Sequence, residues 1–323
     1  MKNSIFKIFV SSLVTFLMVF FLLSFIDLND LNLHLFSFNP EFIIIAIICM
    51  VFSLVCSSIV LVFLFNKDDH FSLYSFINSA HSIGVAILPF GLGELVFTSL
   101  AYKLINKPLN YSLSRQVIII YQTAIMMLTI LFIWIIQTYL IASVKIFLTC
   151  LILLIAITFL FYPSIFFNFI LLPFRKIKKY NIFISRAKKI DEWVDEFSTN
   201  IKIEQSDKSK ALIIFFNFLH ILFGSLVLLF LMLAFDVENT LFFAMVLFSA
   251  ISWVKFVFGF TIGGFGTTDS AVALLYFIEG FSHVVSIQNA IIIRTSYFLV
   301  TVIVSLGILI LSWLLHKNYS DKL

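Results

Sequence analysis

Glu94, Lys255, Asp269 and Arg294 are ionisable residues set in stretches that are otherwise strongly apolar. Charged side chains at membrane depth are costly, and where they occur they mark a function. Glu94 closes the interruption Pro89-Phe90-Gly91-Leu92-Gly93-Glu94, and Asp269 closes Gly263-Gly264-Phe265-Gly266-Thr267-Thr268-Asp269. Glycines allow backbone geometry that other residues resist. A helix restarting after such a break presents free N–H groups carrying partial positive charge, and such a terminus binds anions. Two of these termini with Lys255 and Arg294 would suit a phosphate group. The carboxylates have two other uses: capping the helices they precede, or carrying protons, since burial raises a carboxylate pKa.

His81 lies ten residues before Gly91. It is read either as lining the approach to that break or as a packing histidine, the same alternative that applies to His220. Trp253, Tyr276 and Tyr297 are read as interfacial or packing aromatics. Cys49, Cys56 and Cys150 all fall in apolar runs without metal-ligand spacing and are read as packing residues. The chain contains no G-x-x-x-x-G-K-[ST] loop, H-E-x-x-H motif or G-x-S-x-G elbow. ATP hydrolysis, zinc chemistry and a serine nucleophile are therefore not expected, and no cofactor or metal is assigned.

The elements that must hold these residues follow from hydropathy. Of 323 residues, 62% are hydrophobic and 12% charged, and mean hydropathy is +1.11. A soluble domain is about half apolar and a quarter charged, so a water-soluble fold is excluded. The net charge of +4 does not indicate nucleic-acid binding, because the basic residues cluster beside apolar runs as membrane topology requires. A membrane-spanning helix needs about 20 mostly apolar residues. Six segments qualify, at 6–25, 42–65, 117–140, 146–172 (kinked at Pro163), 211–235 and 290–313. The first, with Lys2 and Lys7 at its start, is too long for a signal-peptide core and is expected to be retained.

Segments 71–106 and 241–281 read differently, each as a helix, a glycine-rich break and a shorter helix. Unpaired backbone is not tolerated against lipid, so each is expected to be a re-entrant hairpin whose break, at Pro89, Gly91 and Gly93 or at Gly263, Gly264 and Gly266, faces protein or water. The fold class is therefore all-α, a polytopic membrane bundle of about six full spans plus two re-entrant hairpins, with seven or eight crossings as alternatives.

The two hairpins read as copies, each followed by a span with an arginine, Arg115 or Arg294. Residues 1–140 and 146–316 then form two repeats. Three full spans per repeat inverts the second, a transporter signature that places a binding site at the repeat interface. With both termini in the cytoplasm, cytoplasmic segments hold Lys2, Lys7, Lys67, Lys103, Lys107, Arg115, the basic cluster of the 174–210 loop, Lys317 and Lys322, and outer segments hold only Lys145. Within that loop Ile190, Trp193, Val194, Phe197 and Ile201 recur at helical spacing. They suggest an amphipathic helix on an anionic leaflet; a solvated linker is the alternative.

The stretches Leu88-Pro89-Phe90-Gly91-Leu92-Gly93-Glu94-Leu95-Val96 and Gly263-Gly264-Phe265-Gly266-Thr267-Thr268-Asp269-Ser270-Ala271, with Arg294 downstream, resemble the paired signatures of the lysylphosphatidylglycerol synthase transmembrane region, or flippase-like, family. The resemblance covers nearly the whole chain. Phe97, Ile262 and Asp269 stand where the family often carries Arg, Pro and Glu. The resemblance implies translocation of an anionic phospholipid or polyprenyl-linked glycolipid across the inner (plasma) membrane. Its headgroup would be handled by Glu94, Lys255, Asp269 and Arg294, with His81 nearby. Membrane lipids are the expected partners, with envelope-synthesis enzymes as further ones and no nucleic acid. The family's fused aminoacyl-transferase domain is not in this sequence, so synthesis of lysylphosphatidylglycerol is not expected. Two other classes stay open: a membrane-embedded transferase or accessory subunit of envelope lipid or glycan synthesis, and a secondary transporter of a small solute.

Overall fold

Polar and helix-breaking residues divide the apolar sequence into nine α-helices among the described residues, with no strand. The computed structural model describes residues 38–65, 71–88, 92–105, 109–139, 142–161, 207–237, 239–257 and 265–320. The helices are α1 Pro40–Phe65, α2 Phe71–Ile87, α3 Leu92–Ile105, α4 Leu109–Tyr139, α5 Ala142–Phe161, α6 Asp207–Ala234, α7 Leu241–Val257, α8 Thr267–Ile278 and α9 His283–Ser320. The expected first span at 6–25, Pro163, most of the 174–210 loop, and Pro89, Gly91, Gly263 and Gly264 lie outside the described residues.

Five helices are long and apolar enough to cross a membrane: Pro40–Phe65, Val117–Tyr139, Val144–Phe161, Lys208–Ala234 and His283–Leu315. The chain is a multi-pass helical membrane protein. Apolar side chains on the outer faces agree with this; Ile146, Phe147 and Leu154 of α5 and Ile303 of α9 are all more than half exposed, as contact with lipid allows.

Local chemistry sets the boundaries. Asn39 caps α1 by accepting the Glu41 N–H at 3.0 Å, and Pro40 takes the first helical position, where its missing donor costs nothing. Asp236, at φ 55, turns the chain out of α6, and Thr240 Oγ1 accepts the Phe243 N–H to start α7. Gly280, at φ 99, ends α8. The last span begins at His283, not at 290 as hydropathy suggests. Ser286, Gln288 and Asn289 belong to its first turns and are buried against protein, so the apolar-run criterion cuts the helix short.

Helices α1 and α6 form the central pair and run antiparallel. The Asn39 N–H donates to the Ala234 carbonyl at 2.9 Å. Ring pairs Phe42–Phe230, Phe52–Phe223 and Phe63–Phe216 then step along the pair in opposite sequence order. Midway, the Ser53 hydroxyl donates to the His220 carbonyl at 3.1 Å, and His220 Nδ1 meets Ser53 Oγ at 2.9 Å and the Ser53 carbonyl at 3.1 Å. His220 is thus a hydrogen-bonded packing residue. Helix α4 meets α6 where Asn217 Nδ2 donates to Gln122 Oε1 at 3.0 Å.

Around this pair the two interrupted segments open to opposite ends. Leu73, Tyr74 and Ile77 at the start of α2 and Ala101 and Ile105 at the end of α3 share a buried cluster with Leu64 and Phe65 of α1 and Ile213 of α6. Both outer ends of α2–α3 are therefore at the Phe65 end. Helix α7 begins where α6 finishes. Phe243, near the start of α7, packs edge-on against Tyr276, near the end of α8, at 5.4 Å, and Glu279, just past α8, accepts a hydrogen bond from Trp134 Nε1 near the C-terminal end of α4 at 3.2 Å. Both outer ends of α7–α8 are therefore at the Asn39 end. The 17 residues of α7 and 12 of α8 give lengths of roughly 25 and 18 Å.

Candidate functional site

The break before α8 builds the site. Gly266 sits at φ 86, a conformation that disfavours any residue with a Cβ, and its N–H donates to Asp269 Oδ2 at 2.7 Å. Asp269 is the third residue of α8, where a carboxylate both satisfies an orphan donor and faces the positive end of the helix. Ser270 Oγ donates to the Gly266 carbonyl at 2.7 Å and fixes the same turn. Capping consumes only one carboxylate oxygen. Oδ1 is buried and accepts no hydrogen bond from the described residues, so the two sequence readings of Asp269, cap and ionic group, are compatible.

Arg294 approaches from α9. It is eleven residues past His283, about three turns into the helix rather than one turn into a span that starts at 290. It is 0% exposed, and Asp269 is 4% exposed. The two interact through their charges, and Lys255, in the last turn of α7, feels both. The guanidinium carbon lies 5.6 Å from the centre of the Phe265 ring, a cation–π contact worth about 2 kcal/mol when desolvated. Phe265 is held in turn by an edge contact with Phe298, at 5.3 Å between ring centres. Tyr297, one turn after Arg294, also lies within its electrostatic reach. It packs edge-on against Phe248, whose ring occupies the space a Cβ on Gly224 would fill.

The structure thus brings together three of the five sequence-chosen binding residues, Lys255, Asp269 and Arg294. With all three ionised the cluster carries two positive charges and one negative, a net attraction for an anion. His81 is on the α2 arm, with an edge contact to Phe97 of α3 at 5.5 Å. Glu94 is the third residue of α3, the register Asp269 holds in α8. Gly93, grouped with the break in the sequence reading, is instead the second residue of α3. A Cβ there would lie 2.4 Å from the Val85 backbone nitrogen, so this glycine permits the two arms to touch. Phe265 and Tyr297 were missed as members of the site. Tyr297's i+3 spacing from Arg294 is a signal, but it is indistinguishable from that of a packing aromatic.

The family model for the lysylphosphatidylglycerol synthase TM region matches residues 5–305. The chain belongs to this family. No curated protein and no solved structure gave a match. The match spans both interruptions, Lys255 and Arg294, so the buried ionic cluster lies inside the region that defines this lipid-related membrane family.

Proposed function

We propose that this member of the family translocates an anionic phospholipid or polyprenyl-linked glycolipid across the inner membrane, with both termini in the cytoplasm. The observation that carries the reading is a fully buried Arg294 beside the buried, break-capping Asp269 in a chain of membrane-spanning helices. A group that bridges two cations while its acyl or prenyl chain stays in lipid is a phosphate-bearing lipid headgroup. Lys255 adds to the attraction. Asp269 keeps the site from holding the anion irreversibly, and Glu94 supplies the equivalent carboxylate in the first repeat.

The packing supports an inverted repeat, residues 1–140 and 146–316. Exchange α1 with α6, α2 with α7, α3 with α8 and α4 with α9, and most of the observed contacts between these helices find a counterpart, α6–α9 being the exception. The pairs α1–α2, α2–α3, α2–α9, α3–α4 and α1–α9 become α6–α7, α7–α8, α7–α4, α8–α9 and α6–α4, all of which are present. The pair α1–α6 maps onto itself, and its antiparallel course is the inversion. Short helices opening to opposite ends support re-entrant hairpins, with the cytoplasmic one α2–α3 and the outer one α7–α8. Movement in this scheme follows a lipid or ion gradient, and no covalent step is involved.

Reconstitution tests the reading. Vesicles carrying a fluorescent phosphatidylglycerol in both leaflets are treated with a membrane-impermeant quencher. The protein is expected to expose the inner-leaflet dye and to move a zwitterionic analogue more slowly. Anionic-lipid movement no faster than in protein-free vesicles, or product formation from a lipid-linked substrate by the purified chain, would count against it.

A further inference from the structure

Several hydroxyls on these helices satisfy themselves locally. Ser58, Thr129, Ser225, Ser249 and Thr301 each donate to the carbonyl four residues back at 2.8 Å. Helix α2 is different. Ser72, Ser75, Ser79 and Ser82 follow one another at three- and four-residue spacing and so share a face. The hydroxyls of Ser72, Ser75 and Ser79 are buried without a hydrogen-bond partner among the described residues. Ser75 is 5% exposed and Ser79 0%. In an apolar setting an unmade hydrogen bond is costly, and the local carbonyl partner used elsewhere has been passed over three times in a row.

The stripe faces α9. Ser305 Oγ donates to Ser82 Oγ at 3.1 Å, whereas Gly84, on the other side of α2, meets Gly93 and Val96 of α3. At roughly 100° per residue, Arg294, Ser305 and Ser312 lie within about 20° of one another on α9, and all three are buried. Since α2 and α9 run in opposite directions, moving from Ser82 to Ser79 and Ser75 on one helix accompanies moving from Ser305 towards Ser312 on the other. The two faces together make a polar seam that leads from Arg294 to the Phe65 end of the bundle. It carries hydroxyls but no fixed charge.

We propose that this seam is the track along which the phosphate-bearing headgroup moves between Arg294 and the membrane face at the Phe65 end. The proposal rests on the translocation reading and deepens it. Hydroxyls donate to phosphate oxygens and exchange hydrogen bonds with glycerol or sugar hydroxyls, and being neutral they let the group pass on. Water passing alone offers the same hydrogen bonds, and the test separates the two.

Cys49, Cys56 and Cys150 are replaced by alanine, and Ser75→Cys, Ser79→Cys or the lipid-facing Ile303→Cys is introduced for treatment with a charged, membrane-impermeant methanethiosulfonate. Thiol modification needs an ionised, hydrated sulfur, so the seam positions are expected to react at least about ten-fold faster than position 303. In reconstituted vesicles Ser79→Val and Ser75→Val are expected to cut anionic-lipid movement several-fold, while Ser79→Ala folds with unchanged or higher thermal stability. Unreactive cysteines in a protein that still moves lipid overturn the track alone. Reactive cysteines with wild-type lipid movement in the valine variants mean a water file only, and also overturn it. A wild-type protein that moves no lipid removes the translocation reading and the track with it.

Discussion

Replacing Arg294 by glutamine should expose how strongly the ionic cluster is coupled. The guanidinium is wholly buried and Asp269 nearly so. One carboxylate oxygen of Asp269 is committed to the Gly266 N–H, which leaves the carboxylate dependent on Arg294 and Lys255 for charge balance. Removing one member of a buried ion pair typically costs about 3–5 kcal/mol. Lys255 stays near Asp269, so the lower end, about 3 kcal/mol, is expected for Arg294→Gln. Asp269→Asn keeps an oxygen for the Gly266 cap but leaves two cations facing each other, and should also destabilise. Asp269→Asn/Arg294→Gln leaves a single buried charge, so its loss should fall short of the summed single losses by about 0.5–3 kcal/mol, the usual range for coupled sites. Phe265→Leu, made alongside, should cost the cation–π contact, about 1–2 kcal/mol, and cost less once Arg294 is glutamine. Equilibrium unfolding of the purified chain in lipid-like micelles measures all of these. Losses that add to within about 0.5 kcal/mol, or an Arg294→Gln protein as stable as wild type, would refute the coupling.

Three further substitutions probe the elements that hold the site. Gly93→Ala places a methyl group against the α2 backbone at Val85, and because backbone cannot yield as a side chain can, it should cost about 3 kcal/mol, the top of the overpacking range, seen as a lowered thermal midpoint. Gly266→Ala must adopt φ near 86 and should lose about 1–2 kcal/mol, while Ser270→Ala at the same turn loses less. Trp134→Phe keeps the ring packing but removes the hydrogen bond to Glu279 that pins the outer end of α8. A loss of about 1 kcal/mol is expected, with faster hydrogen exchange at residues 276–282 and unchanged exchange in α2–α3.

The long spans were legible because about 20 apolar residues have no other stable home than a membrane, and the breaks were legible because glycine and proline cluster there. Asp269 could be placed on the first turn of a helix from the glycines before it. The sequence does not show how far a helix extends when its first turns are polar yet buried; the start of α9 was misplaced for that reason, and with it the depth of Arg294. Nor does it separate a glycine that breaks a helix from one that lets two helices touch, which is why Gly93 was grouped with Gly91. Phe265 over Arg294, Tyr297 beside it and the Trp134–Glu279 tie are contacts between distant segments. In a chain with 42 phenylalanines, residue type gives no hint of which ring meets which charge. Serines are common in membrane helices, and only their unmade hydrogen bonds distinguish the face of α2.

The most direct measurement is the initial rate of anionic-lipid movement in vesicles carrying equal amounts of folded wild-type, Arg294→Gln and Asp269→Asn protein. The expected result is protein-dependent movement that falls about ten-fold or more in Arg294→Gln, the equivalent of losing ~1.4 kcal/mol of headgroup stabilisation at the barrier, together with loss of the preference for anionic over zwitterionic lipid. Movement by Arg294→Gln at the wild-type rate and with the wild-type preference would contradict a role for the buried cluster in handling the headgroup.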